Sequence, residues 1–172
     1  MTNIEAIVAV DQNYGLAKNG QIPWKSKTDM NFFKQKTINN IVVMGSKTLL
    51  SLPKGAPLKD RLNIVLTNKH VNEKCKDNLL YFNELEMFAF LQTPEKYIQD
   101  QYKYLNKDYT IFIIGGKQIY DIFCKACSAI WITKIKTDYK CDLIFSKEIL
   151  DLFPNSITEM EDDELQIIKL TN

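Results

Sequence analysis

Strand-like apolar runs alternate with helix-like stretches along this chain, and that alternation limits its fold more than any other feature. Ile41–Met44 and Tyr109–Ile114 are short, continuous and rich in β-branched residues, so each reads as a strand covered on both faces. The second is the more hydrophobic and belongs near the middle of a sheet. Ile4–Val10, Arg61–Thr67 and Ala129–Ile135 are further strand candidates, with Glu164–Leu170 as a closing one. Helical patterns fall at Asp29–Thr37, at Thr48–Leu52, after Asn83 through Leu91, and from the Gly115-Gly116 turn to about Cys124. Strand and helix in repetition predict an α/β protein with a mostly parallel central sheet flanked by helices, its ligands beyond the carboxyl ends of the strands.

At 172 residues, 45% hydrophobic and 25% charged, the chain is sized for one domain with its own core, read here as residues 1–172. Its 22 basic and 21 acidic side chains leave a formal charge of +1, which argues against nucleic acid or an anionic membrane as partner and for a small molecule. No apolar run approaches the roughly 20 residues of a membrane span. The opening Met1-Thr2-Asn3-Ile4-Glu5 lacks the basic and apolar regions of a signal peptide, so a cytoplasmic location is expected. Of Cys75, Cys124, Cys127 and Cys141, only one pair makes a Cys-x-x-Cys, and His70 is the single histidine; reduced thiols are expected, and no metal site. One histidine also leaves proton chemistry to carboxylates, tyrosines or lysines.

Asp29 is the carboxylate best placed for such chemistry. Pro23 interrupts regular structure, Ser26 or Thr28 can cap a helix, and Met30 and Phe33 share a face beside the acid, which is thereby held against apolar surface. The connection from Asp11 to Pro23 is long and aperiodic, which suits either a lid or a plain surface loop. Gly45-Ser46-Lys47-Thr48 and Gly115-Gly116-Lys117-Gln118 each follow a strand and open a helix, an arrangement suited to a phosphate. Neither is a Walker sequence or a three-glycine dinucleotide fingerprint, and the first also reads as an ordinary capped helix start. Thr133 shares a strand face with Trp131 and Ile135, where its hydroxyl needs an acceptor, either a carboxylate such as Asp29 or local backbone. Beyond Asn83, a predicted N-cap, Leu85, Phe88 and Ala89 are spaced for one buried face, and Thr93–Asp108 reads as a surface excursion with weak helical character at best.

Together these segments resemble one family, the dihydrofolate reductases. The resemblance keeps the family's order from Ile4 to Asp142. It runs through Ile7-Val8-Ala9-Val10, Gly15-Leu16-Ala17-Lys18-Asn19-Gly20-Gln21-Ile22-Pro23-Trp24, Asp29 with Phe33, Val43-Met44-Gly45 with Lys47-Thr48, Arg61-Leu62-Asn63-Ile64-Val65-Leu66, Ile113-Ile114-Gly115-Gly116 with Ile119-Tyr120, and Trp131-Ile132-Thr133. It implies a single-domain fold with an antiparallel C-terminal edge, and a monomer that reduces 7,8-dihydrofolate to tetrahydrofolate with NADPH in one-carbon metabolism.

The resemblance also implies residue roles. Asp29 matches the acid that hydrogen-bonds the pterin and promotes its protonation, Thr133 matches the threonine bound to that acid, and Ile22 and Trp24 belong to the same centre. Ile7, Val8, Met30, Phe33, Leu52, Leu58 and Ile114 match the folate-site lining, and Arg61 the arginine on the substrate's glutamate carboxylate. For the cofactor, Ala9 and Leu16 match carboxamide contacts, and Gly20, Gln21, Ile22 and Trp24 a mobile loop closing over nicotinamide, with Ile114 serving both ligands. Gly45, Ser46, Lys47, Thr48, Gly115, Gly116, Lys117, Gln118, Ile119 and Tyr120 match the phosphate and ribose contacts, the Gly-Gly peptide being typically cis. Thr67, Asn68 and Lys69 fall where the adenosine 2′-phosphate is held. Ser46 and Asn68 stand where basic residues are common, which leaves Lys47 and Lys69 as the nearest cations; Leu49 replaces a frequent tryptophan and Ala17 a frequent glycine. Two other readings are a pyrimidine reductase of riboflavin synthesis, against which Trp24, Asp29 and Arg61 argue, and a folate- or RNA-binding module without turnover.

Overall fold

The computed structural model describes residues 2–71, 75–98 and 100–172. Its elements in chain order are β1 (Asn3–Val10), β2 (Gly15–Ala17), α1 (Lys27–Thr37), β3 (Ile41–Gly45), α2 (Ser46–Ser51), β4 (Leu62–Leu66), β5 (Cys75–Lys76) and β6 (Leu79–Phe82). They continue with α3 (Glu84–Gln92), α4 (Glu95–Ile98), β7 (Thr110–Gly115), α5 (Lys117–Phe123), β8 (Ala129–Ile135), β9 (Leu143–Ile144), α6 (Lys147–Asp151), β10 (Asn155–Glu161) and β11 (Leu165–Thr171). Among the described residues, nine strands make one sheet in the order β10-β11-β8-β1-β7-β3-β4-β6-β5. Neighbours from β8 to β6 run parallel, while β11 and β10 at one edge and β5 at the other are antiparallel. The most hydrophobic strand, β7, lies in the middle.

Continuous apolar strands arise here because both sheet faces are covered. On one face Val43, Ile64, Ile113 and Ile130 pack with Met87 and Phe90 of α3, Ile119 and Phe123 of α5 and Ile149 of α6. On the other, Ile7, Val42, Met44, Phe112 and Trp131 pack with Leu49 of α2 and Phe32 and Phe33 of α1. The second face carries the crevice described below.

One expectation is corrected and two details are added. In α3, Asn83 does cap the helix, with its side chain on the Glu86 N–H at 2.8 Å and Glu86 on the Asn83 N–H at 3.0 Å. The buried side is nevertheless Met87 and Phe90, whereas Leu85 is 79% exposed, Phe88 42%, and Ala89 exposed. Thr93–Asp108 is the expected surface excursion, most of its described residues exposed, but a four-residue helix, α4, buries Ile98 and sets Tyr97 5.6 Å from both Phe82 and Phe90; Gln99 lies outside the described residues. Finally, β10 is an additional edge strand outside the sequence reading, its seven residues all exposed. Cys124, Cys127 and Cys141 are free thiols; the Cys75 side chain lies outside the description.

Candidate active site

The cap of α1 decides where Asp29 points. Ser26 adopts extended geometry and its Oγ accepts the Asp29 N–H at 3.1 Å, so the helix starts two residues earlier than its sequence pattern and Asp29 falls in its first turn. From β8, Thr133, 1% exposed, reaches the same carboxylate. Burial pushes the Asp29 carboxyl above its ordinary value, and the Thr133 hydrogen bond pulls against that rise. Tyr120 lies close by: burial first, then the charges of Cys124 and Asp29, push its phenol well up, and its hydroxyl donates to the Ile7 carbonyl at 2.8 Å.

An apolar patch, the candidate crevice, lies beside this acid on the α1 side of the sheet. Ile7 of β1, Ile114 of β7, Phe33 of α1, and Leu52 and Leu58 from the segment after α2 all join the cluster on the α1 side of the sheet. Val8 does not; strand alternation turns its side chain into the opposite layer, so only its backbone faces the crevice. Met30 is 62% exposed and points away from the core. Phe32, which sequence reasoning passed over, takes the inward position instead, its ring 5.8 Å from Trp131. Its spacing of three from Asp29 was the available signal. At the far end Arg61, 7% exposed, donates Nε to the Lys59 carbonyl at 2.9 Å and Nη1 to Thr37 Oγ1 at 3.1 Å. Burial draws its guanidinium below the ordinary value, opposed by Asp60. Thr37, which donates in turn to the Phe33 carbonyl at 2.8 Å, is a second positioning residue the sequence reading missed.

The connection after β1 has internal order. Asn19 (φ 50) and Gly20 (φ 76) form the tip of a tight turn closed by Lys18 N–H to Gln21 carbonyl at 2.8 Å and the reverse bond at 3.0 Å. Gly20, Gln21 and Ile22 are exposed, Ile22 by 62%. Trp24 is only 7% exposed; it packs with Ala9, Ile135 and Ile167, 5.6 Å from the Tyr139 ring, and Leu16 is buried in the opposite layer. The base of the loop is tied by Asp11, 1% exposed, whose Oδ1 accepts from Asn13 and Gly15 at 2.8 Å and Oδ2 from Tyr139 at 3.0 Å. Burial alone would raise this carboxyl, but the bonds from Tyr139, Gly15 and Asn13, with the Cys141 thiol, hold it below its ordinary value. Farther along, Asn19 N–H donates to Asp142 Oδ2 at 2.9 Å.

Two glycine turns meet beside the crevice, because β3 and β7 are neighbours in the sheet. A Cβ on Gly45 would sit 3.2 Å from Ile119, and one on Gly116 would sit 3.6 Å from Thr48 Oγ1, filling the gap between the turns. The Gly115-Gly116 peptide is cis. Ser46, Lys47 and Gln118 are exposed around this gap. Two predicted contacts lie elsewhere: the Lys117 ammonium bonds the Ile144 carbonyl at 3.0 Å and Ser146 Oγ at 2.8 Å, and Tyr120 is committed beneath the crevice floor. Past the end of β4, Thr67, Asn68 and Lys69 line a cavity of about 270 Å³ together with His70 and Phe82. A depression of about 380 Å³ at Gln12, Lys134 and Lys136 is larger but away from the acid; Lys136 there is paired with Glu161 and Lys134 lies over Tyr14.

Comparison with known proteins gives a concordant result. A family model described as dihydrofolate reductase matches residues 3–170. The chain is 33% identical over 174 residues to dihydrofolate reductase of Drosophila melanogaster, covering 95% of this chain and 87% of that one. It is 35% identical over 144 residues to a Mycoplasmoides gallisepticum protein named segregation and condensation protein A, covering 81% of this chain and 21% of that one. It is 30% identical over 161 residues to the bifunctional dihydrofolate reductase-thymidylate synthase of Paramecium tetraurelia, covering 92% and 31%. The chain therefore spans less than a third of these two longer relatives. A solved structure of dihydrofolate reductase from Enterococcus faecalis, complexed with NADP(H) and RAB-propyl, shares the fold with TM-score 0.74 at 23% identity over 98% of this chain and 95% of that one.

Proposed function

This chain belongs to the dihydrofolate reductase family, and from that premise we propose that it reduces 7,8-dihydrofolate to tetrahydrofolate with NADPH. The observation that carries the reading is the half-buried Asp29, its backbone N–H capped by Ser26 and its carboxyl bonded by Thr133, at the edge of an apolar crevice that ends at Arg61. The donor set fits a dinucleotide: two glycines leave a gap between facing turns, with hydroxyls of Ser46 and Thr48 and the Lys47 ammonium nearby. NADPH supplies a hydride when bound.

The chain's own residues do the rest. Asp29 accepts the pterin's amino and ring N–H groups as a charge-assisted pair. Its raised proton affinity also suits it to hold a proton at a carboxyl oxygen and pass it through water to the ring. Thr133 keeps that carboxyl oriented. Phe33, Phe32, Ile7 and Leu52 exclude water and hold a flat ring. Arg61, fixed through Nε and Nη1, presents its remaining edge to a carboxylate. Ile22 and the turn at Gly20 close over the nicotinamide side.

The test is NADPH oxidation with dihydrofolate, followed by absorbance. Folded protein that shows no rate above the no-enzyme control refutes the reading. We further propose that residues 1–172 act as one domain and as a cytoplasmic monomer without a nucleic-acid partner. The charge of +1 supports the last point, and no helix among the described residues is long and apolar enough to cross a membrane. Sedimentation equilibrium checks the monomer.

A further inference from the structure

β2 and β9 pair with each other outside the nine-stranded sheet, and a ribbon of three residues against two has too little core to hold its own position. β9 buries neither of its side chains, Leu143 being 38% exposed and Ile144 44%. Its bonds therefore place it. Gly15 and Ala17 of β2 lie opposite Ile144 and Leu143, Asp142 N–H donates to the Ala17 carbonyl at 3.1 Å, and Phe145 N–H donates to the Tyr14 carbonyl at 2.8 Å. From the α5 side, the Lys117 ammonium donates to the Ile144 carbonyl at 3.0 Å and to Ser146 Oγ at 2.8 Å, and Ser146 Oγ donates to Asp121 Oδ1 at 2.6 Å. Asp121, one turn along α5, also lies 3.5 Å from the same ammonium.

Two of these residues sit against local preference. Lys117 opens α5, where a cation opposes the helix dipole and the first turn holds no acid. Ser146 occupies the N-cap of α6 but makes no capping bond, its hydroxyl turned instead to Lys117 and Asp121. Each helix forgoes a stabilising end so that the three side chains can meet, and departures of that kind gather at functional positions.

We propose that Lys117 is a positioning residue for hydride transfer. It fixes β9 to the start of α5 and, through the pairing with β2, sets how far the loop at Asn19-Gly20 reaches over the nicotinamide. The inference rests on the reductase reading above and gives Lys117 a task other than binding phosphate. The Phe145 ring, 5.5 Å from that of Tyr120, keeps the two elements in contact without the ammonium, so removing Lys117 loosens the placement of β9 and leaves the fold.

Lys117→Met keeps the apolar stem and removes the charge. In the protein without cofactor, hydrogen exchange at the Asp142 and Phe145 amides should quicken while urea stability holds. Single-turnover hydride transfer should slow by about tenfold, within the range of a slightly misplaced site, with the Kd for NADPH changed less than about twofold. Lys117→Arg should restore part of the rate. Adding Ser146→Ala to Lys117→Met should cost little more than Lys117→Met alone, since both act through one cluster. NADPH binding weakened in step with the rate would make Lys117 a phosphate ligand and overturn the assignment. An unchanged rate, unchanged amide exchange, or losses that add would overturn it too. Each of these leaves the reductase reading intact, whereas wild-type protein that transfers no hydride to dihydrofolate overturns both.

Discussion

Replacing Asp11 by alanine tests whether one buried carboxylate anchors the loop that follows β1. The side chain is 1% exposed and accepts three backbone N–H groups, from Asn13, Gly15 and Tyr139, the last from the segment that precedes β9. Alanine leaves all three donors without that acceptor. The Gly15 bond is buried, and a stranded donor there costs about 1–3 kcal/mol; the Asn13 and Tyr139 bonds are part-buried and recover water, so roughly half that each is expected. Relief of carboxylate desolvation offsets some of the sum, leaving about 3 kcal/mol of destabilisation, or a fall in Tm of about 6–12 °C for a chain of this size. Asp11→Asn retains one acceptor oxygen and should lose about half as much.

Urea denaturation with an unchanged m-value is the assay. The same carboxyl is held below its ordinary value, so its stabilising contribution is present above the unfolded-state carboxylate range and disappears as pH falls through the lower folded value. The gap between wild type and Asp11→Ala should therefore narrow on acidification. An alanine variant within about 0.5 kcal/mol of wild type at neutral pH, the range of an ordinary surface substitution, would refute the reasoning.

Asp29→Asn should lower turnover by about 10²–10⁴-fold, the usual worth of a positioned acid-base group, with little change in NADPH affinity; stopped-flow kinetics and fluorescence titration separate the two. Because burial raises the Asp29 carboxyl in the fold, the ionised form opposes folding above that raised value, so the same variant should melt higher than wild type at neutral pH. Gly15→Ala puts a Cβ 2.5 Å from Cys141 Cβ and 2.8 Å from Asp11 Oδ1, and should be strongly destabilising; adding Cys141→Gly should restore only part of the loss in a double-mutant cycle, because the contact with Asp11 remains. Arg61→Lys should raise KM for dihydrofolate by about tenfold with kcat nearly kept, since a lysine keeps the charge but loses the two-pronged geometry.

Where burial is symmetric, the fold was readable from residue order. Val43 and Met44, or Phe112 and Ile113, face opposite covered layers, so the sequence shows an unbroken apolar run and a parallel strand follows. Asn83 was readable as a cap, and Ser26 as one of two candidates with Thr28, because a short polar side chain before a helix has a specific donor to satisfy. The face of α3 was not. Leu85, Met87, Phe88, Ala89 and Phe90 make it apolar on every side, so periodicity selects no face, and contact with β6 and α5 decides. Nor was β10, whose exposed and mostly polar residues pair with β11 through the backbone and one side-chain bond, Gln166 Nε2 to Thr158 Oγ1 at 3.1 Å. In the site, residue types announced Asp29 and the glycine turns, but Phe32 and Thr37 matter through what they touch, and Lys117 and Tyr120 are drawn off by partners distant in sequence.

The Tyr120 hydroxyl, closed on the Ile7 carbonyl, works as a tie rod between the two halves of the molecule's task. Tyr120 rides on the helix that starts at the second glycine turn, and Ile7 belongs to the floor on which the ring of a substrate would rest. A displacement at the turn is transmitted to that floor unless the bond breaks, so the two binding regions share a single mechanical tolerance. Occupancy of one should then appear as a change in affinity at the other, equal in both directions as thermodynamic linkage requires, and loosening the rod with Tyr120→Phe should shrink that coupling.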